Sequence, residues 1–145
     1  MEPHQIMQKV ADILTVSKTG VLATVDGDGS PRMRWMSPVL IKGRPGVIFA
    51  VTSPVFCKVG ELCRTPVAEW MIQTPALDQI VNLRGKVNVI DSPALRREVI
   101  ENLGGNLMAF WQINKDVGEL VVIETIIEEA VYYQPMKGVK QKVKF

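Results

Sequence analysis

The sequence predicts a barrel-like, Greek-key-like antiparallel β-sheet with flanking helices, in a single mainly β, α+β domain spanning residues 1–145. Several short β-rich segments follow one another along the chain, and a turn signal at Asp26–Gly29 joins the first two as a hairpin. That hairpin breaks the regular strand–helix alternation of a parallel doubly wound fold. The 145 residues, 47% of them hydrophobic, suffice for one core and are too few for two ordinary domains.

The first element is an amphipathic helix. Pro3 suits its first turn, and the helix ends within residues 17–20. Its apolar positions recur at helical spacing: Ile6, Val10, Ile13 and Leu14. The hairpin follows as strands Val21–Val25 and Pro31–Ile41, and a β-branched and aromatic run predicts a buried strand at Val47–Thr52.

At Ser53–Pro54 the spacing of apolar residues changes from that of a strand to that of a helix. A serine cap and a first-turn proline predict a helix that begins there and ends at Thr65–Pro66. A strand is predicted at Val67–Thr74. A longer one at Ile80–Ile90 alternates apolar and polar residues, so one of its faces is expected to be buried and the other wet.

The last third of the chain is also predicted to contain helices and β-structure. Asp91–Pro93 begins a helix that Gly104–Gly105 ends, and a short helix is predicted at 106–113. The segment Glu119–Tyr133 is rich in Val, Ile and Tyr, and it is expected to close the sheet as one long strand, one bent strand or two.

Charge and hydropathy exclude several classes of partner. The formal net charge is +2, so no strong field favours nucleic acid or a membrane surface. No apolar run approaches the ~20 residues of a membrane span, and no leader-like segment is visible, which predicts a cytoplasmic protein. Only Lys137–Lys144 is locally basic, and a solvated strand edge or a frayed end explains it better than a binding arm.

Cysteine and histidine are too scarce for several chemistries. Cys57 and Cys63 are the only cysteines and His4 is the only histidine. The sequence therefore argues against a disulfide framework, a metal site and a Ser-His-Asp or Cys-His nucleophile. No catalytic residue is assigned, and if the protein is an enzyme, its reactive group is expected to come from a cofactor.

The stretch from Gly20 to Lys58 carries the elements of a phosphate site. Arg34 and Lys58 supply charge, Thr52 a hydroxyl, and the predicted helix start offers backbone N–H groups. Strand alternation sets Arg34 on the face opposite Trp35, and this pattern is equally compatible with solvent-facing arginines.

These segments resemble the FMN-binding split-barrel family related to pyridoxamine 5'-phosphate oxidase, especially its general-stress-protein-like members. The resemblance covers residues 20–133, and the order and spacing of its motifs make it specific. It rests on Leu22–Asp26, Gly29–Arg34, Phe49–Thr52 with Lys58, and Asp78–Val87.

The resemblance implies a homodimer with FMN in a groove between the subunits. Arg34 and Lys58 would neutralise the phosphate and Thr52 would donate a hydrogen bond to it, while Gln79 matches the family's flavin-contacting glutamine. The other implied cofactor-binding residues are the neighbouring Val51 and Cys57, and Trp35, Met36 and Ser37 along the flavin edge. For Gln79 the alternative is a surface amide at the start of a strand.

Two departures limit what the resemblance implies. Cys57 stands where relatives commonly carry a basic or hydroxyl residue, and the chain lacks the C-terminal arginine-histidine signature of the true oxidase. The expected function is an FMN-dependent oxidoreductase acting on a small molecule, and not a true pyridoxamine phosphate oxidase. Alternatives are a non-catalytic flavin-binding or stress-response module, a site for FAD or a deazaflavin, and a dimeric barrel without a cofactor.

Overall fold

Seven antiparallel strands form one sheet in the computed structural model, which describes residues 1–53, 66–104 and 120–145. The predicted helices at 54–65 and 106–113 lie outside these ranges. The strands are β1 (Gly20–Val25), β2 (Pro31–Met36), β3 (Val47–Thr52), β4 (Val67–Gln73), β5 (Ile80–Ile90), β6 (Val121–Gln134) and β7 (Val139–Lys144). The helices are α1 (Pro3–Ser17) and α2 (Pro93–Leu103), and a single 3-10 turn, Pro135–Lys137, joins β6 to β7.

The strand order is β2-β1-β4-β5-β6-β3, with β7 beside the second half of β6. β6 forms one continuous strand of 14 residues, so the first of the three predicted alternatives, one long strand, is correct. β5 pairs along one edge of β6, whereas β3 and β7 divide its other edge between them. The sheet therefore departs from a simple meander at β3, and the predicted antiparallel, Greek-key-like α+β class is confirmed.

The two ends of the sheet, β2 and β3, are joined by an isolated bridge. Val39 and Phe49 exchange two backbone hydrogen bonds of 2.7 and 2.9 Å. The prediction that the second strand runs to Ile41 was wrong, because β2 ends at Met36. Pro38 lacks an N–H group and β1 offers no partner beyond Gly20, so the chain leaves β1 and reaches across to β3.

The inner face of the sheet forms the main core. α1 packs on it through the predicted residues Ile6, Val10 and Ile13. Trp70 lies at its centre, fully buried, and its indole N–H donates to the Thr125 hydroxyl at 3.0 Å. That bond satisfies the ring's only donor, which a buried indole needs.

A second, smaller core lies on the outer face of β3 and the first half of β6, beneath α2. Leu95 and Val99 of α2 form this core together with Phe49 and Val51 of β3. The predicted cap is present, since the Ser92 side chain accepts a hydrogen bond from the first turn of α2. α2 covers only this part of the outer face.

β5 shows the predicted alternation, with one break of register at Gly85. Arg84 lies opposite Glu129 and Gly85 lies opposite Ile127, so one residue of β6 is extra, as in a β-bulge. A Cβ on Gly85 would lie 2.0 Å from the Ile126 carbonyl oxygen, so this crossing requires glycine.

Candidate functional site

The β2–β3 cleft, defined as the space between β2 and β3 beyond the Val39–Phe49 bridge, is the centre of the candidate site. Continuing the register of the bridge sets Met36 across from Thr52. No ladder joins these strands there within residues 1–53. The edge of β2 that faces away from β1 therefore offers backbone groups to a ligand, as a strand edge does.

Arg34 lies on the inner face of β2, opposite Leu22. The side chain is half-buried, and its Nη2 donates to the Thr24 hydroxyl at 2.7 Å. Sequence alternation left the exposure of this arginine open, and the structure shows that it is neither freely solvated nor ion-paired among the described residues. Among the described residues one of the five guanidinium donors has an acceptor, and the others point to no described acceptor, so they suit an anion.

Thr24 is a site residue that the sequence interpretation missed. Its hydroxyl, on the 5% exposed side chain, fixes the direction of the Arg34 guanidinium. The signal was present in the hairpin register, because Thr24 faces Arg32 and so lies diagonal to Arg34 on the same face.

Arg32 has a different role from Arg34. Its Nε donates to Asp26 at 2.6 Å, and the Asp26 carboxylate is largely buried at the tip of the hairpin. This ion pair neutralises Arg32 locally, whereas Arg34 keeps its charge unpaired in the described part of the chain. Of the two arginines, Arg34 is thus the one suited to an anionic ligand.

Ser37 lies where β2 ends, beside the cleft. It is 2% exposed, and its hydroxyl has no hydrogen-bond partner among the described residues. A buried hydroxyl without a partner is unfavourable unless a ligand or a water satisfies it. The donor set of the cleft therefore fits a cofactor with a phosphate and polar ring atoms.

The remaining predicted residues of the cleft fall on its two sides. Thr52 is 8% exposed at the end of β3, on the same face as Arg34 and Met36, while Val51 and Trp35 alternate with them on the other face. Cys57 and Lys58 lie outside the described residues.

Gln79 lies far from Thr52 in the same chain. Its side-chain oxygen accepts a hydrogen bond from the Tyr132 hydroxyl at 3.0 Å, near the end of β6. Thr52 pairs with Val121 at the start of that strand. These two positions on β6 are about 36 Å apart along the strand at ~3.3 Å per residue. Burial, followed by the nearby Asp78 charge, raises the pKa of Tyr132, so this hydroxyl stays a hydrogen-bond donor.

Apolar side chains that are exposed or partly exposed lie together on the outer face of β1, β2 and β4. We call this set the outer patch, and its members are Val21, Ala23, Met33, Trp35 and Met71. Met33 is 74% exposed and Trp35 is 45% exposed. Contiguous exposed apolar side chains of this kind mark an interaction surface.

The sequence model of the pyridoxamine 5'-phosphate oxidase family matches residues 6–134. The chain belongs to this family. The resemblance read from the sequence is confirmed, and the match spans every strand except β7. Among curated proteins, no sequence matches this member of the pyridoxamine 5'-phosphate oxidase family.

Solved structures of low sequence identity share this split-barrel fold. A protein of Clostridium acetobutylicum related to general stress protein 26 superposes with a TM-score of 0.73 at 14% identity, covering 97% of this chain and 95% of its own. An FMN-binding, pyridoxamine 5'-phosphate oxidase-related protein of Nostoc punctiforme gives 0.68 at 13% identity, with 93% and 87% covered. An F420 reductase gives 0.63 at 20% identity, with 82% and 93% covered.

Within residues 1–53, 66–104 and 120–145, no three His, Cys, Asp or Glu side chains are grouped to hold a metal ion. Neither described helix has the length and apolar character that a membrane crossing requires.

Proposed function

We propose that this protein is an FMN-binding flavoprotein whose cofactor lies in the β2–β3 cleft. The observation that carries the proposal is the pairing of an unpartnered buried hydroxyl, Ser37, with a half-buried and incompletely bonded arginine, Arg34. Both lie beside a strand edge to which no other described strand is paired. The family membership and the FMN-binding neighbour support the same cofactor.

The phosphate of FMN is assigned to Arg34, Thr52 and Lys58. Arg34 supplies a fork of donors already oriented by Thr24, so little side-chain entropy is lost on binding. Val51 and Cys57 are the proposed neighbours of the phosphate. The flavin ring is assigned to the edge of β2, along Trp35, Met36 and Ser37, where main-chain groups hydrogen-bond its polar atoms and tune its electronics.

A homodimer formed through the outer patch completes the proposed site. Met33, Trp35 and Met71 are exposed apolar side chains on adjacent strands, and a second copy would bury them in an isologous interface. Gln79 is too far from Thr52 to reach the same flavin, so we assign it to the flavin of the partner subunit. Its backbone carbonyl accepts from Thr74, in the turn that flanks Trp35 and Met71.

The proposed activity is cytoplasmic oxidation or reduction of a small molecule by the bound flavin. The flavin supplies the redox chemistry, and the protein supplies binding, orientation and exclusion of water. A non-catalytic flavin-binding or stress-response module is the second candidate, favoured by the general stress protein 26-related neighbour. A deazaflavin is the second candidate cofactor, favoured by the F420 reductase neighbour.

The cofactor is tested by its spectrum and by substitution. We expect the purified protein to absorb as a flavoprotein and to release FMN on denaturation, identified by mass spectrometry. Arg34→Gln should weaken FMN binding about tenfold or more, because a charge-assisted contact contributes ~1.5–3 kcal/mol. Arg97→Gln, an exposed arginine of α2, is the matched control. Absence of bound flavin together with no thermal shift on adding FMN, FAD or F420 would refute a flavin site.

Anaerobic reduction separates the enzyme from the module. The FMN-loaded protein is mixed with NADH, NADPH or reduced F420, and flavin bleaching is followed at its visible absorbance band. An oxidoreductase should be reduced and then reoxidised by an added acceptor over many cycles. Bound flavin that no donor reduces and no acceptor reoxidises favours the non-catalytic module.

A further inference from the structure

The largest described cavity lies away from the β2–β3 cleft, at the opposite end of β3. Its volume is about 850 Å³. It lies between α1, the connection from β2 to β3, and Phe145, the residue that follows β7. Val47 lines it, whereas Thr52 belongs to the cleft, so about 17 Å of strand separate the two at ~3.3 Å per residue. We call this space the α1 cavity.

The walls of the α1 cavity are mainly apolar and are fixed by backbone hydrogen bonds. Its apolar lining includes Met7 and Ala11 of α1 and, from the connection between β2 and β3, Leu40, Ile41 and Pro45. Phe145 closes one side, where its N–H donates to the Glu128 carbonyl at 3.0 Å. A concave, largely apolar space of this size is typical of small-molecule sites.

Among the described residues that line the α1 cavity, Arg44 has the one formally charged side chain, and the other polar side chains are those of His4 and Gln8. Arg44 and His4 line it, and none of its described lining side chains is a carboxylate. The Arg44 backbone N–H donates to the Ile41 carbonyl at 3.1 Å, and its guanidinium carbon lies 5.7 Å from the centre of the Phe49 ring. No carboxylate in the described part of the chain is ion-paired with Arg44.

A second, smaller cavity adjoins the first. It has a volume of about 380 Å³, shares Ala11 and Leu40 with the α1 cavity, and contains Lys18. None of its described lining side chains is acidic either. Asp12 lies on the same helix, exposed, and accepts a hydrogen bond from Gln8 at 3.0 Å. A groove along α1 thus combines apolar walls with cations at separate points.

We propose that the α1 cavity binds a small apolar carboxylate, with the carboxylate on Arg44 and the apolar body against α1. The planar guanidinium suits bidentate recognition of a carboxylate, and the cation is held over an aromatic ring that orients it. The apolar walls account for an affinity that an exposed arginine alone does not provide. This site is independent of the flavin, because it shares no residue with the β2–β3 cleft.

The probe is decanoate below its micelle concentration, compared with decanol by isothermal titration calorimetry on the flavin-loaded protein. We expect one decanoate per chain, bound about tenfold more tightly than decanol. Arg44→Gln should weaken decanoate about tenfold, since it removes a charge-assisted contact, and leave decanol unchanged. Arg97→Gln should leave both unchanged.

A further variant fills the cavity. Ala11→Phe should abolish binding of both probes while the melting temperature and the flavin spectrum show that the fold is retained. Equal affinity for decanoate and decanol, no binding of either, or a loss on Lys18→Gln in place of Arg44→Gln would each overturn the proposal. A flavin-free protein that still binds decanoate through Arg44 would support this site even if the proposed flavin function fails.

Discussion

The inner and outer faces of the sheet differ in what covers them. On the inner face α1 and the curved sheet enclose Trp70, Leu83 and Ile123 completely. On the outer face α2 covers β3 and part of β6, and the outer patch on β1, β2 and β4 stays exposed. Strands with apolar residues on both faces therefore contribute to a buried core on the inner face and leave an exposed apolar patch on the outer face, and we propose that a second subunit covers this patch.

The largest expected effect is on the inner face, at the bulge of β5. Gly85→Ala places a methyl carbon 2.0 Å from a backbone oxygen, which β6 must move to accommodate. We expect a loss of unfolding free energy of about 3 kcal/mol or more, measured by urea denaturation. Gly104→Ala is the control for glycine entropy at a site with open space, although its positive φ adds some strain. A Gly85→Ala protein as stable as the control would contradict the close approach.

A substitution on the outer face is expected to have an intermediate effect. It should change the association of subunits more than the stability of the fold. Met33→Glu places a charge in the outer patch, where the side chain is 74% exposed in the single chain. Within the monomer the unfolding free energy should change by no more than about 0.5 kcal/mol. In sedimentation the protein should shift from dimer to monomer, whereas Met136→Glu, at an 87% exposed position outside the patch, should not shift. An unchanged dimer would assign the interface to another surface.

The smallest effect concerns an ion-pair cluster on the outer face, in which Glu129 contacts Arg84 at 3.0 Å and Lys142 at 3.2 Å. Burial alone would raise the pKa of Glu129. The hydrogen bond from Lys142 and the charges of Arg84, Lys142 and Lys144 outweigh it and hold the pKa below its usual 4.5. Stability from this carboxylate is therefore present above pH 4.5 and is lost as the pH falls through the lower folded-state value.

The measurement compares Glu129→Gln with the wild type by thermal unfolding between pH 7 and pH 3. The wild type should be slightly the more stable at pH 7, and the difference should shrink below pH 4.5. Glu101→Gln, at an exposed position of α2, provides the comparison. A difference that grows on acidification would reverse the assigned sign.

Most helices and strands were predicted from local sequence patterns, because their formation depends mainly on residues that are close together in the chain. Pro3 and the spacing of Ile6, Val10 and Ile13 were sufficient for α1, and Ser92 with Gly104 bounded α2. The end of β2 was not predictable in this way. It depends on where β1 begins and on Phe49, which is distant in sequence and pairs with Val39.

The candidate site was proposed from residue types in the sequence, and the structure adds how the described ones are arranged. Spacing marked Arg34 and Thr52, but only the hairpin register identified Thr24 as the partner that orients Arg34. The burial of Ser37 likewise depends on packing beyond its own strand. The separation of Gln79 from Thr52 could not be predicted from the residues around either position. It depends on the length of β6, which lies between them in the sheet. The contributions of Cys57, Lys58 and a partner subunit remain predictions.

The bridge between Val39 and Phe49 has a consequence for how the molecule opens. Among the described residues, three paired positions join the β1–β2 hairpin to β4, and on its other side the single Val39–Phe49 bridge joins the segment after β2 to β3. Six paired positions hold the hairpin's own two strands together. The hairpin can thus separate as a unit, at a lower cost in backbone hydrogen bonds than any central strand. Since Arg34 belongs to it, local opening and ligand release are expected to be coupled, with amide exchange in the hairpin slowing when the cleft is filled.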